Sequence, residues 1–190
     1  LRFSSGVTGA GAGNPEYLLW ELPAPFARDG DCVVTERFLA SEDGIDRLTD
    51  VVRPTLTFFP ASGRGPHPAV LVCPGGGYEI LAWNPEGRDI CGWLNSIGFS
   101  AFLLKYRCPD RREAAHADAA RAMRFIRFHA ESFHIQPDRT GCLGFSAGAH
   151  LTASIAAPAE PVPYAPVDDA DRLPFRPDFT ALIYPAYPCD

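Results

Sequence analysis

From residue 31 onward the apolar positions fall into short runs, separated by stretches marked by Pro, Gly and Asp, and the rhythm within each run predicts its element. Residues 32–40 (CVVTERFLA) and 55–59 (TLTFF) are β-branched and aromatic with partial alternation, which predicts strands. Residues 60–68 form a turn-rich connector. Residues 68–73 (PAVLVC) are continuously apolar, as in a strand covered on both faces. A helix is predicted over 86–97, with Ile90, Trp93, Leu94 and Ile97 on one face and Gly98 as its stop.

The next strand spans 100–106 (SAFLLKY). A long helix over 114–133 carries Ala115, Ala119, Ala122, Phe125, Ile126, His129 and Phe133 at three- and four-residue steps, flanked by Arg121, Arg124 and Arg127. A strand at 138–143, a small-residue helix at 147–157, a Pro/Asp-rich loop at 158–177 and a strand at 179–185 complete the order. Residues 1–30, including GVTGAGAG, lack periodicity and are expected to be an irregular arm. Those glycines loosely imitate a dinucleotide fingerprint, but neither the preceding strand nor the following helix that the motif requires is predicted.

Alternating strands and helices predict an α/β fold: a three-layer α/β/α sandwich around a mostly parallel sheet. Residues 1–190 read as one domain. Right-handed crossovers would place the loops after the strands along one edge, where open α/β sheets bind ligands.

Composition narrows the partners. The chain has 190 residues, 46% of them hydrophobic, enough for a core. A net charge of −6 without a Lys/Arg run argues against nucleic acid or an anionic membrane as partner. No apolar stretch approaches the roughly 18 residues needed to span a bilayer. The six cysteines show no CxxC pair and no Cys/His metal spacing, so no structural metal is expected. Cys73 and Cys142 lie in apolar runs and read as small hydrophobes; Cys91 and Cys108 are left as a pair that an oxidising compartment would allow. The chain begins at Leu1, so a removed leader or a trimmed chain is expected, and no signal peptide pattern is visible. A secreted or periplasmic setting is preferred to a cytoplasmic one.

The chemistry concentrates in GCLGFSAGAH, residues 141–150. Gly144-x-Ser146-x-Gly148 stands between a predicted strand and a predicted helix, the context in which a sharp turn exposes a nucleophilic serine. Upstream, Pro74-Gly75-Gly76-Gly77-Tyr78 follows the buried strand directly. Acyl transfer needs backbone N–H donors aimed at the developing oxyanion, and Gly76 and Gly77, with Ala147 after the serine, are the candidate oxyanion-hole donors. A phosphate cradle is the rival reading, but no Gly-Lys-Ser/Thr follows either loop.

These motifs resemble an α/β-hydrolase-fold serine esterase, close to the acetylxylan-esterase and feruloyl-esterase-like carbohydrate esterases within the HGGG-type lipases and esterases. The resemblance rests on CPGGGY (73–78), EGRDICGWLNSIGFSAFLLKYR (86–107), DAARAMRFIR (118–127), GFSAGAHL (144–151) and PDFTALIYP (177–185). It implies deacylation of ester-decorated sugars or plant polysaccharides without a metal or organic cofactor. Two departures stand out: Cys73 occupies the place of the HGGG histidine, and Ala149 a place often held by glycine. Tyr78, Trp83 and Asn84, following the glycine loop, are candidates for the substrate pocket wall.

A serine nucleophile also needs a base and an acid. Triad order in this fold is Ser, then Asp/Glu, then His, and the resemblance implies that the acid follows the strand after 179–185 and the histidine the last strand. They are therefore expected beyond this chain, in a second chain or in the remainder of a longer hydrolase, leaving the fold incomplete at its C-terminal end and this chain inactive alone. His150, four residues along a helix rising about 1.5 Å per residue, is expected to be a buried, hydrogen-bonded helix residue rather than the base. His67 belongs at the opposite sheet edge; His116, His129 and His134 belong to the long helix. Asp168, Asp169 and Asp171 read as a solvated loop, Asp178 as a turn or packing residue, and Asp190 as a terminal acid with no downstream histidine. A peptidase or short-acyl lipase on the same fold, and a non-catalytic binding protein, remain open alternatives.

Overall fold

The computed structural model describes residues 13–21, 23–158 and 164–187 and resolves nine strands and four helices among them. The strands are β1 (Glu16–Leu18), β2 (Arg37–Leu39), β3 (Arg47–Thr49), β4 (Thr55–Phe59), β5 (His67–Cys73), β6 (Leu81–Ala82), β7 (Ser100–Lys105), β8 (Ile135–Phe145) and β9 (Thr180–Ile183). The helices are α1 (Asp89–Ser96), α2 (Arg112–Phe128), α3 (Ala130–Phe133) and α4 (Ala147–Ala156). The main sheet runs β1-β4-β7-β5-β8-β9. β7, β5, β8 and β9 are parallel, while β4 and β1 add antiparallel pairings at one side.

The period-2 geometry of the strands sorts their side chains into two cores. Leu71 and Cys73 of β5, Phe102 and Leu104 of β7 and Cys142 of β8 face α2, α3 and α4. Val70 and Val72, Ala101 and Leu103, and Leu143 and Phe145 face the other way, onto Cys91 and Leu94 of α1. The expected three-layer sandwich around a mostly parallel sheet is therefore the architecture found, and covering on both faces explains the unbroken apolar run of β5. No helix among the described residues is long and apolar enough to cross a membrane.

Several expectations are corrected. The arm expected over residues 1–30 is, in its described part, built into the fold: β1 pairs with β4, and Leu19 and Trp20 are buried. The strand expected at 32–40 begins as a 3₁₀ turn (Asp31–Val33), and only β2 extends, in a small antiparallel sheet β2-β3-β6. Elements of two or three residues carry no readable period. In α1, Trp93 and Ile97 are half exposed while Cys91 turns inward. A π-helical turn (Asn84–Arg88) precedes the helix, and Gly87 sits so close to Leu103 that a Cβ there would meet its methyl at 2.9 Å, which sets the rotation of the helix.

The long helix is broken at His129 between α2 and α3. Strand β8 starts earlier than expected, with a register shift where Ile135 pairs with His67 but Thr140 with Ala69; Pro137, which cannot donate to a ladder, lies within that shift. Of the loop expected to be solvated, Asp168 and Asp169 are exposed, but Asp171 is buried and Asp168 is ion-paired. Arg121 of α2 donates to Asp168 at 2.6 Å and lies 3.1 Å from the buried Asp171. Asp178 holds Thr140 through paired bonds of 2.8 and 2.9 Å, as a packing residue does. Cys32, Cys73, Cys91, Cys108 and Cys142 are free thiols, so Cys91 and Cys108 are not paired. Cys189, Asp190 and most of GVTGAGAG lie outside the described residues.

Candidate active site

Parallel pairing of β7, β5, β8 and β9 brings the loops that follow them to one sheet edge, and Ser146 stands there between β8 and α4. Its backbone has φ 50° and ψ −116°, a conformation that ordinary residues avoid. The surroundings hold it: Ser146 N–H donates to Ile183 O at 3.0 Å, and its carbonyl accepts from Ala149, His150 and Ala186 N–H at 3.0, 3.1 and 3.1 Å.

The flanking glycines are required by contact. A Cβ on Gly144 would lie 2.1 Å from Gly148 O, and one on Gly148 would lie 2.1 Å from Cys73 O. The turn is thereby pressed against the end of β5, where the glycine loop starts.

That loop runs through Gly76 (φ 133°), Gly77 (φ 66°) and Tyr78 (φ 65°), closed by Glu79 and Ile80 N–H donating to Gly76 O at 3.0 and 3.1 Å. Gly75 approaches nearest to the serine, for a Cβ built on it would meet Ser146 Cβ at 3.0 Å. Its N–H is already committed to Glu86 Oε2 at 2.8 Å. Among the described residues nothing accepts from the N–H of Gly76, Gly77 or Ala147. The three candidate donors are thus available to a ligand, in contrast to Gly75. Sequence reading gave Gly75 and Glu86 no role of their own; the run of three glycines signalled the loop but not which amide was spoken for.

The candidates for a pocket wall sit differently from the expectation. Tyr78 is only 4% exposed, its hydroxyl 2.7 Å from His150 Nδ1, and burial raises its phenol well above the usual range. Asn84 is spent on the 44–46 loop: its Nδ2 donates to Gly44 O at 2.8 Å and its Oδ1 accepts Asp46 N–H at 2.9 Å. Trp83, half-buried, packs against both cores.

His150 is half-buried rather than buried, held through Nδ1 by Tyr78 and edge-on to Tyr78 and Tyr187 at 5.8 and 5.7 Å. His67 opens β5 at the far edge; His116 lies on α2, His129 after it and His134 before β8. No described side chain hydrogen-bonds to Ser146 Oγ. Among the described residues no group of three His, Cys, Asp or Glu is placed to hold a metal.

Beneath the loop, Cys73 Sγ lies 3.8 Å from Cys142 Sγ, which is 3.2 Å from Thr152 Oγ1. The neighbouring Cys142 thiol and burial push the Cys73 thiol well above its usual value, so it stays neutral. Pro74, not Cys73, directly precedes the three glycines, so the place of the HGGG histidine falls on Pro74, and the buried thiol pair involves the residue before it. On the other flank, Tyr184 donates to Glu86 Oε1 at 2.6 Å; burial first, then this carboxylate, push its phenol up to about 12.

The sequence model of the BD-FAE family matches residues 57–161, over half of the chain. The acetylxylan esterase of Xylanibacter ruminicola is 34% identical over 134 residues, covering 70% of this chain and 25% of its own length. Endo-1,4-β-xylanase B of Butyrivibrio fibrisolvens is 34% identical over 122 residues, covering 61% of this chain and 19% of its own length. Among solved structures, the acetyl ester-xyloside bifunctional hydrolase from Caldicellulosiruptor lactoaceticus aligns with a TM-score of 0.63 at 32% identity, covering 80% of this chain and 57% of that one. This chain therefore spans a quarter or less of these curated relatives and just over half of that structure. The fold is that of the α/β hydrolases, with the sheet ending at β9 among the described residues.

Proposed function

The chain belongs to the BD-FAE family, and from that premise we propose that it carries the nucleophile half of a serine esterase that deacylates sugars or plant polysaccharides. The observation that carries this reading is Ser146 at a φ of 50° beside a glycine loop with uncommitted amides. Acetyl or feruloyl groups on xylan are the favoured substrates, supported by relatives named acetylxylan esterase, xylanase and acetyl ester-xyloside hydrolase.

In the proposed reaction Ser146 Oγ attacks the ester carbonyl carbon while a histidine takes its proton. The carbonyl π electrons move to oxygen, and the N–H groups of Gly76, Gly77 and Ala147 hold that oxyanion. Collapse expels the sugar alkoxide, which takes the proton from the imidazolium, leaving an acyl-serine. Water activated by the same histidine releases the acid and restores Ser146. The histidine and its orienting carboxylate are proposed to come from polypeptide outside these 190 residues, as a second chain or a continuation of this one. The β9 edge, with Phe179, Leu182 and Tyr184 exposed, is the surface on which it would continue the sheet. The 190-residue chain alone is then inactive.

A fluorophosphonate probe tests the assignment on the polypeptide that contains this chain. Labelling that disappears in Ser146→Ala supports it. Absence of labelling in the wild type, with all of the polypeptide present, favours a non-catalytic binding protein instead. Among active outcomes, p-nitrophenyl acetate, longer acyl esters, acetylated xylan, methyl ferulate and peptide amides separate carbohydrate esterase from lipase and peptidase.

A further inference from the structure

Glu86 stands on the π-helical turn between the glycine loop and α1, a type of irregularity found often at functional sites. Its two oxygens reach two different elements. Oε2 accepts the Gly75 N–H at 2.8 Å, and Oε1 accepts the Tyr184 hydroxyl at 2.6 Å. A Cβ on Gly75 would lie 2.6 Å from Glu86 Oε2 and 3.0 Å from Ser146 Cβ, so carboxylate, loop and nucleophile converge on one spot. Tyr184 follows β9 and packs on Phe145 with ring centroids 5.9 Å apart. The residues beside it, Ile183 and Ala186, make the two backbone bonds that brace Ser146 from that side, at 3.0 and 3.1 Å.

An acid at the start of a helix is ordinarily accounted for by the helix dipole. Here the carboxylate oxygens turn instead to the loop on one side and the strand exit on the other. We propose that Glu86 is the positioning residue of the oxyanion hole, clamping the 75–77 loop between Ser146 and Tyr184 so that the Gly76 and Gly77 amides face the developing oxyanion. The inference rests on the esterase reading of Ser146, and the hydrogen bonds of Glu86 go to Gly75 and Tyr184 rather than to Ser146 Oγ. A loop displaced by about an ångström costs on the order of 10²-fold in rate, because hydrogen bonds to the oxyanion count only in the transition state.

The test uses the polypeptide carrying the complete triad, with Glu86→Ala, Glu86→Gln and Tyr184→Phe, and two readouts. The first is kcat and KM on p-nitrophenyl acetate. The second is the amide proton shift and exchange rate of Gly75 by NMR, which needs no turnover. Expected for Glu86→Ala are a loss in kcat of about 10²-fold with KM little changed, an upfield Gly75 amide and faster exchange. Glu86→Gln keeps an oxygen for Gly75 and an N–H₂ for Tyr184, and is expected to recover most of both readouts. Tyr184→Phe keeps the Gly75 bond and is expected to lose less than Glu86→Ala. An unchanged kcat in Glu86→Ala, or a Gly75 amide identical to wild type in that variant, overturns the proposal. Equal losses in Glu86→Ala and Glu86→Gln, with the Gly75 amide restored in the latter, overturn it too, since charge would then be the cause. If the wild type fails to label at Ser146 the esterase reading falls, and the Gly75 amide still decides whether Glu86 holds the loop.

Discussion

A single methyl group decides whether the nucleophile turn can form. A Cβ on Gly148 would meet Cys73 O at 2.1 Å and Pro74 O at 2.4 Å, both backbone atoms that cannot swing aside. Gly148→Ala is therefore expected to push α4 away from β5, costing about 1–3 kcal/mol as an overpacked core does. A lower urea midpoint and slower fluorophosphonate labelling together would show it. Gly92 is the contrast: a Cβ there meets nothing within 4 Å, and Gly92→Ala in α1 is expected to stabilise by about 0.4–1 kcal/mol.

His116 belongs to the same scale. Burial first, and the neighbouring His150 second, hold its value below the usual 6.5, and its Nε2 is buried without a hydrogen-bond partner among the described residues. Below about pH 6.5 the unfolded chain takes up a proton that the folded chain still refuses. The unfolded state then binds more protons, so stability falls as pH drops through that window. Urea midpoints are expected to decline between pH 7.5 and 5.5, and His116→Gln is expected to flatten the decline.

At the scale of elements, α2 is tied to the end of β7 by a buried ion pair. Arg107 and Asp118 are 1% and 0% exposed in their side chains; the guanidinium donates to the carboxylate at 2.7 and 2.9 Å, and Trp20 Nε1 adds a bond of 2.7 Å. Asp118→Asn keeps the volume but strands the buried guanidinium, an expected loss of about 3–5 kcal/mol, measurable by urea unfolding with a changed near-ultraviolet signal from Trp20.

Nothing in the pattern of apolar positions announces that tie, because its partners sit on separate elements and meet only through packing. The same reason separates legible from illegible elements. β4, β5, β7 and α4 could be read because each carries a run whose period matches its environment. β1, β3 and β6 are too short to show a period and exist through register with a neighbour. The inward face of α1 depended on the π turn before it, a backbone event invisible in hydropathy.

For the molecule as a whole, right-handed crossovers placed the loops after the parallel strands along one edge, and with them the meeting of PGGGY and GFSAG, while the strand order itself came only with the fold. Ser146, Gly76, Gly77 and Ala147 were therefore legible as a motif in context. Gly75, Glu86 and Tyr184 were not, since they join the glycine loop to the exit of a strand roughly a hundred residues later, a convergence only the folded chain supplies. Tyr78 and Asn84 followed the loop in sequence, yet the fold turned one inward and gave the other to a neighbouring loop.

The stretch matched by the family model, residues 57–161, is smaller than the stretch that folds. Trp20 supplies one of the donors to Asp118, Leu19 O accepts from Arg121 Nε at 3.0 Å, and β1 covers β4. A polypeptide cut to the recognisable boundaries would begin inside β4 and leave those partners behind. The practical domain border thus lies upstream of the family match, at or before residue 16, and libraries of fragments drawn to that match would discard the piece that keeps the ion pair dry.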